Sequence, residues 1–581
     1  MLRILTLIIC ILWLGATHAQ TSQYVYPVRD VAGHCVANFG EIRPGHFHAG
    51  VDIRTDGVEG KPCVAVADGY VSRIVVGTSG YGLGLYLTLT DGTEVVYGHL
   101  QRFREDIDRY AVEEQTRLKT NYLDREFPPE KWAVKAGDIV GYSGNTGSSM
   151  GPHLHFEMRR PKTGIRRNLV REGIIPVVDT IPPRILRVHY VEVDTLPTGV
   201  VCRSKMRSRD VLRYASGGYR LVGGDTLAVG RKGYFIVEVS DRRNGVNNRF
   251  GIWRLTAMRD DLPYFQYRMD GFTYAEGRMS DAVSCYPMQR KARTECIRVA
   301  RMERAPEDFY PFAKERGVVR CPEGEVHRIG FVVDDDSGNT SFLEFAIKGQ
   351  VGESFHGEEP VEDVIVIDPD EDTDLAIGAW ATCHIPSGSL YEKTAVQTAQ
   401  KEVATPKNRT GIRVLSPAVL FVGEDTPMLH AATYRLQHPV PEELASRTLM
   451  ARATRKGLSA VGGRYTEGAV TEKTRTAGWM LLVADTEAPK IFTRYPKARR
   501  AGVPDLSRAA ILRFKVTDNF AGIADHAIEI DGQWVPANRQ PIRGEITHRF
   551  SMKPQGKVHS VRVRVTDRVG NVKTYTGEFF R

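Results

Sequence analysis

No apolar run beyond the first 20 positions of this 581-residue chain is long enough to cross a bilayer as a helix. The 8 cysteines include no C-x-x-C spacing, which argues against a zinc site built from thiolates. Blocks of Lys or Arg are missing as well, and no nucleic-acid module is recognisable. The formal charge of +9 therefore comes from scattered residues, which suits an anionic partner without a nucleic-acid signature. "GYGLGLY" is not a dinucleotide fingerprint, because no βαβ pattern surrounds it, and "GVEGKP" lacks the spacing and the Ser/Thr of a phosphate loop.

What is present first is a start, "MLRILTLIICILWLGATHAQ", with Arg3, an apolar run from Ile4 to Leu14 and small residues ending at Ala19. This layout predicts a secretory signal at 1–19 cleaved after Ala19, hence an exported chain of the periplasm or cell envelope; the alternative is an uncleaved anchor. Cys10 lies inside the apolar run and not at its end, so it is not read as a lipid-attachment residue. The other seven cysteines are an odd number for an oxidising compartment, and their closest pair, Cys285 and Cys296, is the expected disulfide.

The length suggests about four units at roughly 150 residues each. With 55 Gly, 30 Pro and 42% hydrophobic residues, a loop-rich, mainly β protein is expected. "KPCVAVADGYVSRIVV", "LGLYLTLTDGTEVVYGHL" and "AGDIVGYSGNTG" alternate apolar residues between Asp-Gly, Ser-Gly and Asn-Thr-Gly turns, predicting a β-rich unit over 20–175. It is interrupted by an insertion at about 101–136, where "RFREDIDRYAVEEQTRLKTNYL" suggests a helical or irregular segment.

Two later segments share punctuation. "DTIPPRI" at Asp179 matches "DTEAPKI" at Asp485, "VSDRRNGV" at Val239 matches "VTDNFAGI" at Val516, and "DDDSGN" at Asp334 matches "TDRVGN" at Thr566. The alternation of "VRVRVTD" and the Gly-Asn turns predict β-sandwich (Ig-like) modules at 176–348 and 485–581. The acidic stretch "GEEPVEDVIVIDPDEDTD" opens a linker plus β domain at 349–484. The D-x-D-x-G at Asp334 echoes a calcium loop, but Phe345 stands where a bidentate Glu is needed, so a turn is expected.

The chemistry concentrates in the first unit. In "GPHLHFEMRR" His153 and His155 sit at i and i+2, so on a strand both face one way, with Glu157 beside them as a candidate acceptor for an imidazole N–H. "HFHAGVD" adds His48 and Asp52, two ordinary zinc ligands, with Gly50 marking a turn into a strand. One histidine of the pair would complete three ligands and leave a fourth position for water, the layout of a catalytic zinc site. His99, in "VVYGHL", and the remaining histidine are then free for proton transfer and charge stabilisation. His46 is a less favoured ligand candidate, and Tyr81 could line the groove or simply pack in a hairpin.

"HFHAGVD", "VAVADGYV", "VVYGHL" and "GYSGNTGSSMGPHLHFE", in this order, resemble the lysostaphin-type (LytM-like) zinc metallopeptidases over about residues 35–160. The resemblance implies one Zn2+ on His48, Asp52 and His155, with His153 and His99 as the catalytic pair. It also implies hydrolysis of peptide cross-links or stem peptides of bacterial peptidoglycan. A catalytically silent wall-binding protein, or an activator of another hydrolase, is the alternative, but no position of the ligand pattern is lost. The insertion after His99 departs from the short-form family and could act as a lid or as packing. The β modules are expected as spacers or docking surfaces for a cell-envelope protein.

Overall fold

The computed structural model describes residues 24–581 apart from 196–198, 204–205, 216, 352–363, 408 and 551–552. The expected signal segment and the first part of the acidic linker lie outside the described residues. Strand dominates, built from runs rich in Val, Ile, Tyr and Thr, which fit a pleated, half-buried surface.

The N-terminal part is organised by a ten-stranded sheet. Its main path runs Cys35–Ala37, Val51–Arg54, His153–Arg159, Glu94–Gly98, Leu83–Leu89, Gly69–Val76, Leu123–Glu126, and every neighbouring pair is antiparallel. Val51, Ile53, Leu154 and Phe156 point into a core shared with Leu85, Val95 and Tyr97. By the period-two rule, Asp52, His153 and His155 therefore face the other way.

The insertion begins as the helix Glu105–Leu118, which carries Glu105, Asp106 and Asp108 in its first turn and buries Ile107 and Ala111. It ends at Lys119 in a left-handed conformation and returns as the edge strand Leu123–Glu126, paired with Gly69–Val76. The insertion thus extends the sheet at the edge remote from the His153–Arg159 strand.

The chain then forms β-sandwich modules. A seven-stranded and a six-stranded sheet enclose one core containing Phe235, Phe331 and Phe345. A five-stranded and a six-stranded sheet follow around Tyr434 and Phe421, and two four-stranded sheets around Phe514 and Val563 close the chain.

The first sandwich does not stand apart from the N-terminal sheet. Phe39, Ile42 and Phe47 are buried in the sandwich core, with Phe39 stacked on Phe272 at 4.9 Å between ring centroids. The strand Gly271–Phe272 in turn pairs with Arg166–Arg167, an extension of the N-terminal sheet. At about 1.5–3 kcal/mol per fully buried side chain, this shared core fixes the two units to each other.

The last module folds back onto the insertion. The Asn121 side chain donates to the His526 carbonyl at 2.8 Å and accepts from the Ala537 amide at 2.8 Å. Gln540 donates to the Asn145 carbonyl at 3.1 Å and Arg549 to that of Gln101 at 3.3 Å.

The expected disulfide is corrected: Cys285 and Cys296 are both free and buried. Their backbones meet, the Cys285 amide donating to the Cys296 carbonyl at 2.8 Å, but both thiols lie in an apolar cluster with Tyr234 and Ile236. Burial raises the Cys285 pKa and pushes Cys296 up to about 12.

Candidate metal centre

Strand register assembles the site. His155 lies opposite Asp52 on one neighbouring strand and opposite Gly98 on the other, so one row across three strands carries Asp52, His155 and the approach to His99. Gly98 is required here, because a Cβ would stand 3.0 Å from Tyr81 and 3.2 Å from the Cβ of His155. Gly50 allows the turn before Val51 to pass the neighbouring backbone, since a Cβ there would meet the Phe156 carbonyl at 2.3 Å.

His48, Asp52 and His155 form a small buried triangle. His48 Nε2, Asp52 Oδ1 and His155 Nδ1 are each 3.0 Å from the other two. His48 Nδ1 lies 2.7 Å from the Asn38 carbonyl, an acceptor only, so Nδ1 carries the proton and Nε2 turns a lone pair toward the Asp52 oxygen. Two acceptors at that distance need a cation between them.

His155 Nδ1 faces both of them. Burial pulls the His155 pKa down, yet its interactions with Asp52 and Glu157 outweigh burial and raise it. Burial pushes Asp52 up as well, but the His48 and His153 rings beside it hold its carboxyl well below the usual range. Burial lowers His48 to about 4, leaving it a neutral ligand at physiological pH.

The donor set fits zinc: two imidazoles and a carboxylate are its ordinary ligands, and tetrahedral edges for zinc–nitrogen bonds of about 2.0–2.1 Å are roughly 3.3 Å, close to the observed triangle. His155 turns its other nitrogen toward Glu157 at 3.5 Å. Glu157 is fully buried and held by Tyr81 at 2.6 Å, Arg159 at 2.6 Å and Arg166 at 2.9 Å. His155 Nε2 makes no hydrogen bond, but it faces a fixed carboxylate, the kind of group that supports metal-bound histidines.

His153 and His99 border the triangle. His153 Nδ1 is 2.8 Å from the Gly151 carbonyl, while its Nε2 is buried with no hydrogen-bond partner, 3.5 Å from Asp52 Oδ1. His99 Nδ1 is 2.8 Å from the Thr146 carbonyl, and its ring centroid is 4.8 Å from that of His153. Burial lowers the His99 pKa to about 3. His99 sits at φ 60°, an uncommon backbone conformation for a residue with a side chain.

His46 is exposed and turned to the Pro44 carbonyl, away from the triangle. Tyr81, one of two open readings in the sequence, lies beside His155 with ring centroids 5.1 Å apart. Sequence reasoning missed Asn38 and Thr146, whose contributions are backbone carbonyls that any residue could supply. It also missed Arg43, which bonds the second oxygen of Asp52 at 3.1 Å.

Residues 124–167 match the model described as Peptidase family M23. The N-terminal domain resembles the M23 peptidases. An uncharacterized metalloprotease of Haemophilus influenzae is 34% identical over 120 residues, covering 20% of this chain and 19% of that protein. Lysostaphin of Staphylococcus simulans is 29% identical over 146 residues, covering 25% of this chain and 24% of lysostaphin. Among solved structures, the catalytic domain of the prophage-encoded M23 protein EnpA of Enterococcus faecalis is 26% identical with a TM-score of 0.17, covering 25% of this chain and 88% of that one. The chain thus spans about a fifth to a quarter of the length of these two curated relatives, and the family match at 124–167 takes in His153 and His155 but not His48 or Asp52.

Proposed function

We propose that this chain is an exported zinc endopeptidase that hydrolyses peptide cross-links or stem peptides of bacterial peptidoglycan. The observation that carries the reading is the buried His48–Asp52–His155 triangle with the unpartnered Nε2 of His153 beside it. His48, Asp52 and His155 would hold the ion. A zinc ion bound there supplies Lewis acidity at neutral pH.

The chain's own groups set the proton path. The Gly151 carbonyl keeps the proton of His153 on Nδ1, so Nε2 is the acceptor that takes a proton from the attacking water. Thr146 keeps the proton of His99 on Nδ1 in the same way, so its Nε2, neutral at physiological pH, would be a second acceptor that orients the attacking water beside His153. Glu157, fixed by Tyr81, Arg159 and Arg166, keeps His155 in place.

The test uses the full chain without its signal segment, loaded with zinc and incubated with purified peptidoglycan. The wild type is expected to release new amino groups and His155→Ala to release none. Equal release by the two contradicts the proposal.

A further inference from the structure

Among the described residues, two more clusters of candidate metal ligands lie outside the triangle, and both are made only of carboxylates. Asp179, Asp241 and Asp335 bring one oxygen each within 4.8 Å of one another, and so do Asp485, Asp518 and Asp567. These are corresponding positions of the two repeated modules. Asp179 and Asp485 open the shared "DT" motifs, Asp241 and Asp518 directly follow the strands Lys232–Ser240 and Ile511–Thr517, and Asp335 and Asp567 begin the D-x-x-G-N turns.

The local bonding repeats as well. Asp179 and Asp485 each accept the amide two residues on, both at 3.1 Å. Asn339 and Asn571 each bond the aspartate four residues before them, at 2.8 and 2.7 Å, and reach the backbone carbonyl of Asp179 or Asp485.

What these bonds leave over points to a ligand. Asp241 is fully buried and neither of its oxygens has a hydrogen-bond partner; Asp179 Oδ2 and Asp518 Oδ1 are likewise buried and unpartnered. Buried carboxylates are ordinarily paired or bound to metal, because leaving several ionised together in an apolar interior is prohibitive. Arg243 does not answer this need: its Nε is 3.8 Å from Asp179 Oδ2, but its hydrogen bond goes to Asp336. In the second cluster the matching position is Phe520, which brings no charge.

We propose that each cluster is a site for one hard divalent cation of the calcium class. Three carboxylates with no nitrogen or sulfur select such an ion over zinc. Calcium–oxygen distances of about 2.3–2.6 Å place oxygens on opposite sides of one ion roughly 5 Å apart, so one ion can touch all three. Both sites lie at joints. Asp179 belongs to the segment between the N-terminal sheet and the first sandwich, and Asp485 ends the strand Trp479–Asp485 of the middle module while Asp518 and Asp567 belong to the last. The ions would lock each module against the unit before it.

Calcium alone, titrated by calorimetry into the chelator-stripped full chain, tests this. Two calcium ions per chain are expected, falling to one in Asp241→Asn and one in Asp518→Asn, with zinc uptake unchanged in both. Calcium should raise the unfolding temperature of the wild type by several degrees and that of each variant by less. In calcium-free buffer Asp241→Asn should unfold at or above the wild-type temperature, because the buried carboxyl no longer has to be held protonated in the fold; a merely structural aspartate would give the opposite. Asp179→Asn, whose oxygen can keep the Ile181 contact, serves as a second variant of the first site. Absence of calcium binding at millimolar concentration, or wild-type stoichiometry in either cluster's variants, overturns the proposal.

Discussion

His48 Nε2 and His155 Nδ1 stand 3.0 Å apart although 107 residues separate them in sequence. Antiparallel pairing of Val51–Arg54 with His153–Arg159 brings about this meeting, and the Asn38 carbonyl sets the His48 tautomer that makes it useful. Strand register, tautomer and burial each have a separate consequence for metal binding and catalysis.

Removing a corner of the triangle should remove the metal. Dialysed wild type is expected to retain about one zinc per chain in atomic absorption, and His155→Ala and Asp52→Ala close to none. Zinc retention in either variant would place the ion elsewhere.

His153 and His99 should separate catalysis from metal binding. His153→Ala and His99→Ala are expected to keep their zinc and lose about 10²–10⁴-fold in peptide hydrolysis, the usual contribution of a general acid or base. Parallel loss of zinc and activity would instead make them ligands.

Glu157 should tune the metal without touching it. In Glu157→Gln the acceptor behind His155 loses its charge and Arg159 and Arg166 each lose a charged partner, so zinc affinity should fall about 10–100-fold in competition with a chelating dye. Unchanged affinity would leave Glu157 a purely structural buried anion.

The core shared by the N-terminal sheet and the first sandwich predicts joint unfolding. Phe272→Ala should destabilise the chain by about 3–5 kcal/mol in urea, with zinc release and loss of sandwich structure following one transition, because Phe39 and Phe47 on the ligand-bearing loop pack on that ring. Two separated transitions would contradict this coupling.

The carboxylate cluster at Asp241 gives a pH dependence of defined sign. Its folded pKa of about 9, raised by burial and then by Asp335 and Asp179 against Arg243, lies above the unfolded value of about 3.9. The folded chain therefore holds more protons, and calcium-free stability should fall as pH rises across that window, less steeply in Asp241→Asn. Saturating calcium should flatten the slope in the wild type.

Much of this was legible in the sequence. Period-two alternation placed His153 and His155 on one face, and the repeated Asp and Gly-Asn punctuation marked the two matching sandwiches. The division of roles between His153 and His155 rested on family resemblance and not on spacing. Phe39, Ile42 and Phe47 read only as apolar; a linear pattern says that they are buried, not that a later module buries them. Nearness in sequence suggested a Cys285–Cys296 bond, but both cysteines are free and buried. The "DDDSGN" segment is a turn, as expected, since Asp335 accepts the amides of Ser337, Gly338 and Asn339. Its meeting with Asp179, 156 residues away, and Asp241, 94 residues away, is set by the sandwich, which no local motif encodes.

The most direct measurement is mass spectrometry of the products formed from defined, cross-linked muropeptides by the zinc-loaded full chain. The account predicts cleavage at a peptide bond, with one water added across it, an intact glycan, and no products from His48→Ala or His155→Ala. Cleavage in the glycan, or the same peptide products from those two variants, would contradict it.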